Sequence, residues 1–173
     1  TGVSELLPGM VSSEQIIGGY WGGTVQIGAT KIKSMIIEIV DTSVLPKDFQ
    51  GDFLIAGYYA RNIARLRPSV NGAGHKLQTL APILTSTHNA FRPVDLNTGP
   101  DGALYVADWF NPIIGHYQAS LRHPDRDKKH GRIWRIANGQ PLLKPPSLAK
   151  MNAAQLCEQL AVPLRRTRQL AKL

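Results

Sequence analysis

The chain has 173 residues, of which 43% are hydrophobic and 18% are charged, and its formal net charge is +8. This composition is that of a packed globular protein rather than a disordered one, and 16 glycines with 12 prolines favour short strands and tight turns over a helical bundle. The single cysteine, Cys157, excludes a disulfide within the chain, a thiolate zinc site and a Cys-x-x-Cys-His haem attachment.

The excess of positive charge is concentrated towards the C-terminus. Residues 141–173 contain six of the twenty basic residues and one of the twelve acidic residues. No aromatic side chains interleave with these cations, as a stacking platform for single-stranded nucleic acid requires. We therefore expect a solvated helix face and no nucleic-acid binding. The apolar runs are too short to span a bilayer, so we expect no transmembrane segment in this chain.

The first half of the chain predicts one antiparallel meander. Residues 1–22 are rich in glycine and are predicted to form a loop. Four apolar stretches then alternate with turn residues, and they predict strands over residues 34–40, 53–58, 62–67 and 76–84. Four short strands joined by tight turns are typical of one blade of a β-propeller.

The same pattern then begins again. Strands over 94–97 and 103–109 flank Gly99-Pro100-Asp101-Gly102, a sequence typical of a hairpin turn. After a long excursion over 110–130, residues 132–136 predict a third strand. The fourth strand is missing, as expected of a last blade that borrows one from the opposite end of a propeller. We therefore predict an all-β fold over residues 1–140, a partial β-propeller of about two four-stranded blades.

Residues 141–173 predict a short α-helical segment after a linker that contains prolines. Asn152 followed by Gln155 is the pattern of a helix N-cap with its reciprocal partner, and Pro163 separates this helix from a second one. Two short helices around a proline are similar to the opening of a HEAT-type repeat. The predicted domain boundary therefore lies near residue 140.

Several side chains of the second predicted blade are candidates for a site. Arg92 and Asp95 precede or begin an inner strand, where side chains face the tunnel of a propeller; the alternative is a salt bridge between them or with a neighbour. Asp108, at the end of a strand, is a candidate metal ligand or a cap for the following turn. Asp101 is expected to serve only the hairpin turn.

The excursion over 110–130 is a second source of candidates, because long loops in compact domains tend to carry function. It contains three histidines and two aspartates, a combination suited to a metal or to acid–base chemistry. The histidine spacings match no recognised metal pattern. We expect Asp–Arg pairs to hold this loop over the tunnel, with His116 as the best candidate for catalysis.

Two sequence segments carry a family resemblance. Phe91-Arg92-Pro93-Val94-Asp95-Leu96 and residues 99–109, GPDGALYVADW, resemble the sugar-dehydrogenase-like β-propellers related to glucose and sorbosone dehydrogenases. Residues 111–117, 123–127 and 130–135 are similar to a subgroup described as membrane-bound dehydrogenases of planctomycetes. In that subgroup HEAT-like repeats and a c-type haem domain follow the propeller. The resemblance covers roughly residues 18–173.

The resemblance implies a fragment of a quinone-dependent sugar or alcohol dehydrogenase. Pyrroloquinoline quinone and calcium would be its cofactors, with His116 as the catalytic base, Arg92, Asp95 and Arg132 in cofactor binding and Asp108 as a metal ligand. Haem would belong to the parent protein only, and the parent would lie in the periplasm or cell envelope.

A second hypothesis is a non-catalytic propeller that binds a polysaccharide or a protein partner and positions an attached haem domain. Because the chain begins at Thr1 and ends within a helical pattern, we expect it to be a piece of a larger protein.

Overall fold

A computed structural model of the chain describes residues 23–27, 30–114, 120 and 122–172. Over these residues the fold is mostly β, with two antiparallel sheets and two short helices. The first sheet has five strands and the second has three, each in sequence order. Their bounds are β1 (Gly23–Ile27), β2 (Thr30–Ile39), β3 (Phe53–Gly57), β4 (Asn62–Asn71), β5 (Gly74–Thr85), β6 (Pro93–Thr98), β7 (Leu104–Asp108) and β8 (Arg132–Ile136).

The first sheet is buried on both faces at its centre. Successive side chains of a strand point to opposite faces. Leu54 and Ala56 of β3 therefore belong to the core shared with the second sheet, whereas Ile55 packs with Ala64 and Leu66 of β4 on the other face. This explains why β3 is a continuous apolar run rather than an alternating one.

The two sheets are held together at the C-terminal ends of β2 and β6. The main core between them is formed by Val40, Leu45, Leu54, Ala56, Ile63, Leu96, Leu104 and Val106. At its border, Glu38 Oε1 accepts hydrogen bonds from the backbone N–H of Thr98 at 3.1 Å and from its hydroxyl at 2.8 Å. Thr42 donates its hydroxyl to the Gly102 carbonyl at 2.7 Å. The strands β2 and β6 therefore end at the same end of the structure.

The predicted hairpin over residues 93–109 is confirmed. The Gly102 N–H donates to the Gly99 carbonyl at 2.9 Å, and the Ala103 N–H donates to Asp101 Oδ1 at 3.1 Å. Gly102 has φ +80°, a conformation that glycine adopts without strain. Asp101 therefore has the structural role that the turn sequence predicted, and its Oδ2 also pairs with Arg135 at 2.7 Å.

The C-terminal segment is helical, as predicted. Helix α1 spans Ala153–Gln159 and helix α2 spans Arg165–Leu170. The predicted cap is confirmed, because Asn152 and Gln155 exchange side-chain to backbone hydrogen bonds at 3.0 Å in each direction. No residue of α1 is buried.

Helix α2, in contrast, contacts the sheets. The Arg165 N–H donates to Asp41 Oδ2 at 2.8 Å, and its guanidinium pairs with Glu38 at 2.9 Å. Leu164 and Thr167 are buried. The same Glu38 that joins β2 to β6 therefore also holds α2.

The first sheet differs from the prediction by one strand. The prediction began at residue 34, whereas β2 begins at Thr30 and pairs with an additional strand, β1. β1 contains the alternation Thr24-Val25-Gln26-Ile27, which is a strand pattern, but it directly follows the glycine-rich segment and was left unassigned. The predicted loop over residues 1–22 lies outside the described residues.

Antiparallel strand order divides the turns between two ends of the structure. One end, here called the arginine end, contains the β3–β4 turn (residues 58–61), the segment 86–92 and the described part of the segment 109–131. The Ser86 N–H donates to the Arg61 carbonyl at 2.9 Å, and the Trp109 N–H donates to the Arg92 carbonyl at 2.9 Å. The other end, the helix end, contains residues 40–52, the hairpin turn and α2. No helix in the described part of the chain has the length and apolar character needed to cross a membrane.

Candidate arginine-rich binding site

Asp108 is the centre of the hydrogen-bond network at the arginine end. Its side chain is fully buried, and its Oδ1 accepts from the N–H groups of Arg92 at 2.8 Å and Phe110 at 2.9 Å. Its Oδ2 accepts from Arg132 Nε at 2.8 Å and from the Trp134 indole at 3.0 Å. One carboxylate thereby connects β6, β7, β8 and the start of the excursion.

Hydrogen bonding keeps this carboxylate ionised. Burial by itself would raise the pKa of Asp108, but the N–H of Arg92, the indole of Trp134, the N–H of Phe110 and the guanidinium of Arg132 together hold the pKa below its ordinary value. The bond to Phe110 confirms the interpretation of Asp108 as the cap of the following turn. Phe110 itself has φ +51°, an uncommon conformation for a bulky residue.

Arg92 is buried without a matching anion. The residue is 6% exposed, its Nη1 donates to the Phe91 carbonyl at 2.9 Å, and its Nε has no hydrogen-bond partner. Among the residues that the structure describes, Arg92 forms no salt bridge with Asp95 or with another side chain. Burial, followed by the charge of Arg61, lowers the pKa of Arg92 from its ordinary value.

The β3–β4 turn supplies the other polar groups of this site. Burial, followed by the neighbouring Tyr59, raises the pKa of Tyr58 to about 12, although the charges of Arg92 and Arg126 act in the opposite direction. The Tyr58 hydroxyl is therefore a neutral donor at physiological pH. Arg61 has φ +54°, which is uncommon outside glycine and indicates a strained turn.

The described part of the excursion packs around Phe110. The Arg132 guanidinium lies 4.0 Å from the centre of the Phe110 ring, and the rings of His88 and His130 lie 5.5 and 6.3 Å from it. His130 Nδ1 is 2.8 Å from Asp127 Oδ2. Backbone N–H groups, first that of Lys129, and the His130 side chain lower the pKa of Asp127 to about 2. The excursion is therefore anchored to β8.

The predicted site residues are not all brought together. Arg92, Asp108 and Arg132 lie at the arginine end and are connected through Asp108. Asp95 is turned to its own strand, where its Oδ1 accepts from the Leu96 N–H at 2.8 Å and the Asn97 amide at 3.2 Å. His116 lies outside the described residues, so its catalytic role stays a prediction.

The pairing within the excursion differs from the prediction. We expected Asp–Arg pairs, whereas the ion pairs of its described residues join aspartate to histidine, His130 to Asp127 and, at 4.0 Å, His123 to Asp125. Arg126 instead donates to the carbonyls of Ser120 and Ile113. The aspartate–histidine contacts are therefore local, whereas Arg126 and Asn111 join segments of the loop that lie 13 and 16 residues apart.

One comparison with known proteins gives a match. The model of a family described as a domain of unknown function, DUF7133, matches residues 30–140. The chain belongs to the DUF7133 family. No curated protein and no solved structure matches it. The DUF7133 match begins with β2 and ends just after β8, so it contains all of the arginine end and none of the helical segment.

Two residues of the arginine end were missed in the sequence. Tyr58 was predicted as the last residue of a strand, and Arg61 as part of the connection to the next strand. Their signal is weak, because Tyr-Tyr-Ala-Arg lacks the glycine or proline that usually marks a tight turn. Only the packing of this turn beside Arg92 gives these residues a shared environment.

Proposed function

We propose that this chain is the closing part of a β-propeller oxidoreductase that resembles quinone-dependent sugar and alcohol dehydrogenases. Its arginine end would contribute to binding of the substrate. In this proposal the two sheets are neighbouring blades, residues 141–173 begin a HEAT-like region, and the parent protein lies in the periplasm or cell envelope with a c-type haem domain. The observation that supports a binding role is the buried Arg92 guanidinium, whose Nε has no partner in the part of the chain that the structure describes.

The calcium that the resemblance implies does not fit the described residues. Calcium needs several oxygen ligands, but both oxygens of Asp108 already accept hydrogen bonds, and the described ranges contain no group of three His, Cys, Asp or Glu that could hold a metal ion. Pyrroloquinoline quinone carries several carboxylates; Arg132 is already paired with Asp108, and Arg92 is the predicted cofactor residue whose Nε has no partner among the described residues. We therefore assign this chain no step in the quinone chemistry.

The experiment uses the full-length gene product that contains this chain. Turnover of sugars and alcohols is measured with added quinone, calcium and a dye acceptor, in the wild type and in Arg92→Gln. We expect the substitution to raise KM at least tenfold with a smaller change in kcat, because it removes a binding group rather than the base. Absence of turnover with intact folding would contradict the enzymatic proposal.

A second candidate function is a non-catalytic propeller that binds a carbohydrate. The saturated carboxylate of Asp108 favours it, as do two exposed aromatic residues at the arginine end, Tyr59 at 51% and Trp109 at 41% exposure. Aromatic rings at a mixed polar and apolar surface are suited to packing on sugar rings. Carbohydrate binding without turnover in the same experiment would select this function.

A further inference from the structure

We infer that the arginine end binds an acidic sugar, and that Arg92, Arg61 and Tyr58 bind its carboxylate. That the ligand is a sugar rests on the proposed function. That the sugar is acidic rests on the charges of the site. It deepens both candidate functions, because an enzyme and a carbohydrate-binding propeller would each use the same contact.

Arg92 carries a buried positive charge. A buried cation is costly unless an anion or hydrogen bonds replace its hydration. Arg92 has one hydrogen bond from its Nη1 to a backbone carbonyl and an unsatisfied Nε. Asp108 is near enough to oppose the lowering of the Arg92 pKa, but its oxygens are occupied by Arg132, Trp134 and backbone N–H groups. Among the described residues, this guanidinium therefore has no anionic partner.

The arginine end carries a second positive charge, that of Arg61. The Arg61 carbonyl accepts the Ser86 N–H at 2.9 Å, so the turn that carries Arg61 lies against the segment that leads to Arg92, and the charge of Arg61 contributes to lowering the pKa of Arg92. Two neighbouring cations repel each other unless an anion lies with them. Tyr58 adds a protonated hydroxyl, whose pKa is raised by burial and in part by a hydrogen bond with Tyr59. A planar guanidinium matches the two oxygens of a carboxylate, so the set favours a carboxylate ligand.

Exposed aromatic rings at the arginine end suit the apolar part of the ligand. Trp109 directly adjoins Arg92, since its N–H donates to the Arg92 carbonyl at 2.9 Å, and 41% of this residue is exposed. Tyr59 packs edge-on against Tyr58 with ring centres 4.7 Å apart and is half exposed. Exposed rings beside cations are suited to a sugar ring that carries a carboxylate, as in a uronic acid.

The test measures binding to the full-length protein by thermal shift and titration calorimetry. The probes are sodium glucuronate and sodium galacturonate, with glucose at matched ionic strength as the neutral control. We expect at least one uronate to bind tenfold or more tightly than glucose. The variants Arg92→Gln and Arg61→Gln should each lose tenfold or more of the uronate affinity and little of the glucose affinity. Because Arg92 is buried, Arg61→Gln provides an independent test if Arg92→Gln fails to fold.

The matched control is Arg166→Gln on α2, which removes one positive charge at the helix end and should leave uronate affinity within twofold. Equal binding of uronate and glucose, or unchanged uronate binding in both site variants, would overturn the inference. So would tighter binding of glucose 6-phosphate than of either uronate, since the site would then select charge rather than a carboxylate.

Two outcomes separate this inference from the proposed function. Uronate binding that depends on Arg92, without turnover of any sugar, supports the acidic ligand and overturns the oxidoreductase. Turnover of neutral sugars without uronate binding supports the oxidoreductase and overturns the acidic ligand. Binding of pyrroloquinoline quinone that depends on Arg92, with no effect of uronates, also overturns the inference and assigns Arg92 to the cofactor.

Discussion

Replacement of Asp108 by asparagine should loosen the whole second sheet. Asparagine has the same shape but only one acceptor oxygen, so either the two backbone N–H donors or the donors of Arg132 and Trp134 face an NH₂ group. Each buried donor without an acceptor costs about 1–3 kcal/mol. Arg132 is about one-third exposed and regains some hydration, so we expect a total cost of about 2–4 kcal/mol.

Hydrogen–deuterium exchange of the full-length protein measures this cost at the relevant strands. At about 1.4 kcal/mol per tenfold change, amides of β6, β7 and β8 should exchange about 30-fold to 1,000-fold faster in Asp108→Asn. Asp95→Asn is the matched control, because its oxygen serves only its own strand, and it should change exchange by less than threefold. Equal exchange in the two variants would refute the role of Asp108 as the connecting group.

Acid should act on the same carboxylate. The pKa of Asp108 in the folded protein is lower than its ordinary value of about 3.9, so the unfolded chain binds more protons in acid. The stabilisation from Asp108 is therefore complete above about pH 4 and is lost as the pH falls through the folded-state pKa. The rise in exchange below pH 4 should be smaller in Asp108→Asn than in the wild type.

Three further predictions concern the turn, the helical segment and the open edge. Gly102→Ala should cost about 2–4 kcal/mol in urea unfolding, because φ is +80° and a Cβ would lie 2.7 Å from Thr42 Oγ1, whereas Gly72→Ala meets no atom within 4 Å and should cost about 1 kcal/mol. Arg165→Ala should speed limited proteolysis before α2 about fivefold, since it removes the partly exposed pair with Glu38, and Arg166→Ala should not. The isolated 173-residue chain should self-associate in light scattering through β8, which carries Ile133 at 77% exposure, and Ile133→Lys should reduce this; a monomeric wild type would contradict the edge argument.

The strands and turns of this chain were largely predictable because their signals are local. The hairpin turn at 99–102 contains the residues that its angles require, and the Asn152 cap lies three residues before its partner. The β1 strand was missed because its alternating residues directly follow a glycine-rich segment. Local chemistry therefore accounts both for the correct predictions and for this error.

The candidate site was predictable only in part, because its geometry depends on contacts between distant segments. Arg92 and Asp108 were chosen as polar residues at strand ends, and this position is correct. Two contacts of the site depend on the register of the two sheets. Arg132 pairs with Asp108, 24 residues away, and Arg61 lies near Arg92, 31 residues away. No spacing in the sequence encodes which of two arginines keeps a free donor.

Arginine side chains are paired differently at the two ends of the structure, because acidic residues are distributed differently between the ends. At the helix end, Glu38, Asp41 and Asp101 each pair with an arginine. These pairs join the sheets to each other and to α2. Among the described residues of the arginine end, Asp108 is the one buried carboxylate, and it is shared between Arg132 and two backbone groups while Arg92 has no ion pair. Because burial of an unpaired cation lowers stability, its retention at only one end is better explained by a ligand there than by a contribution to folding.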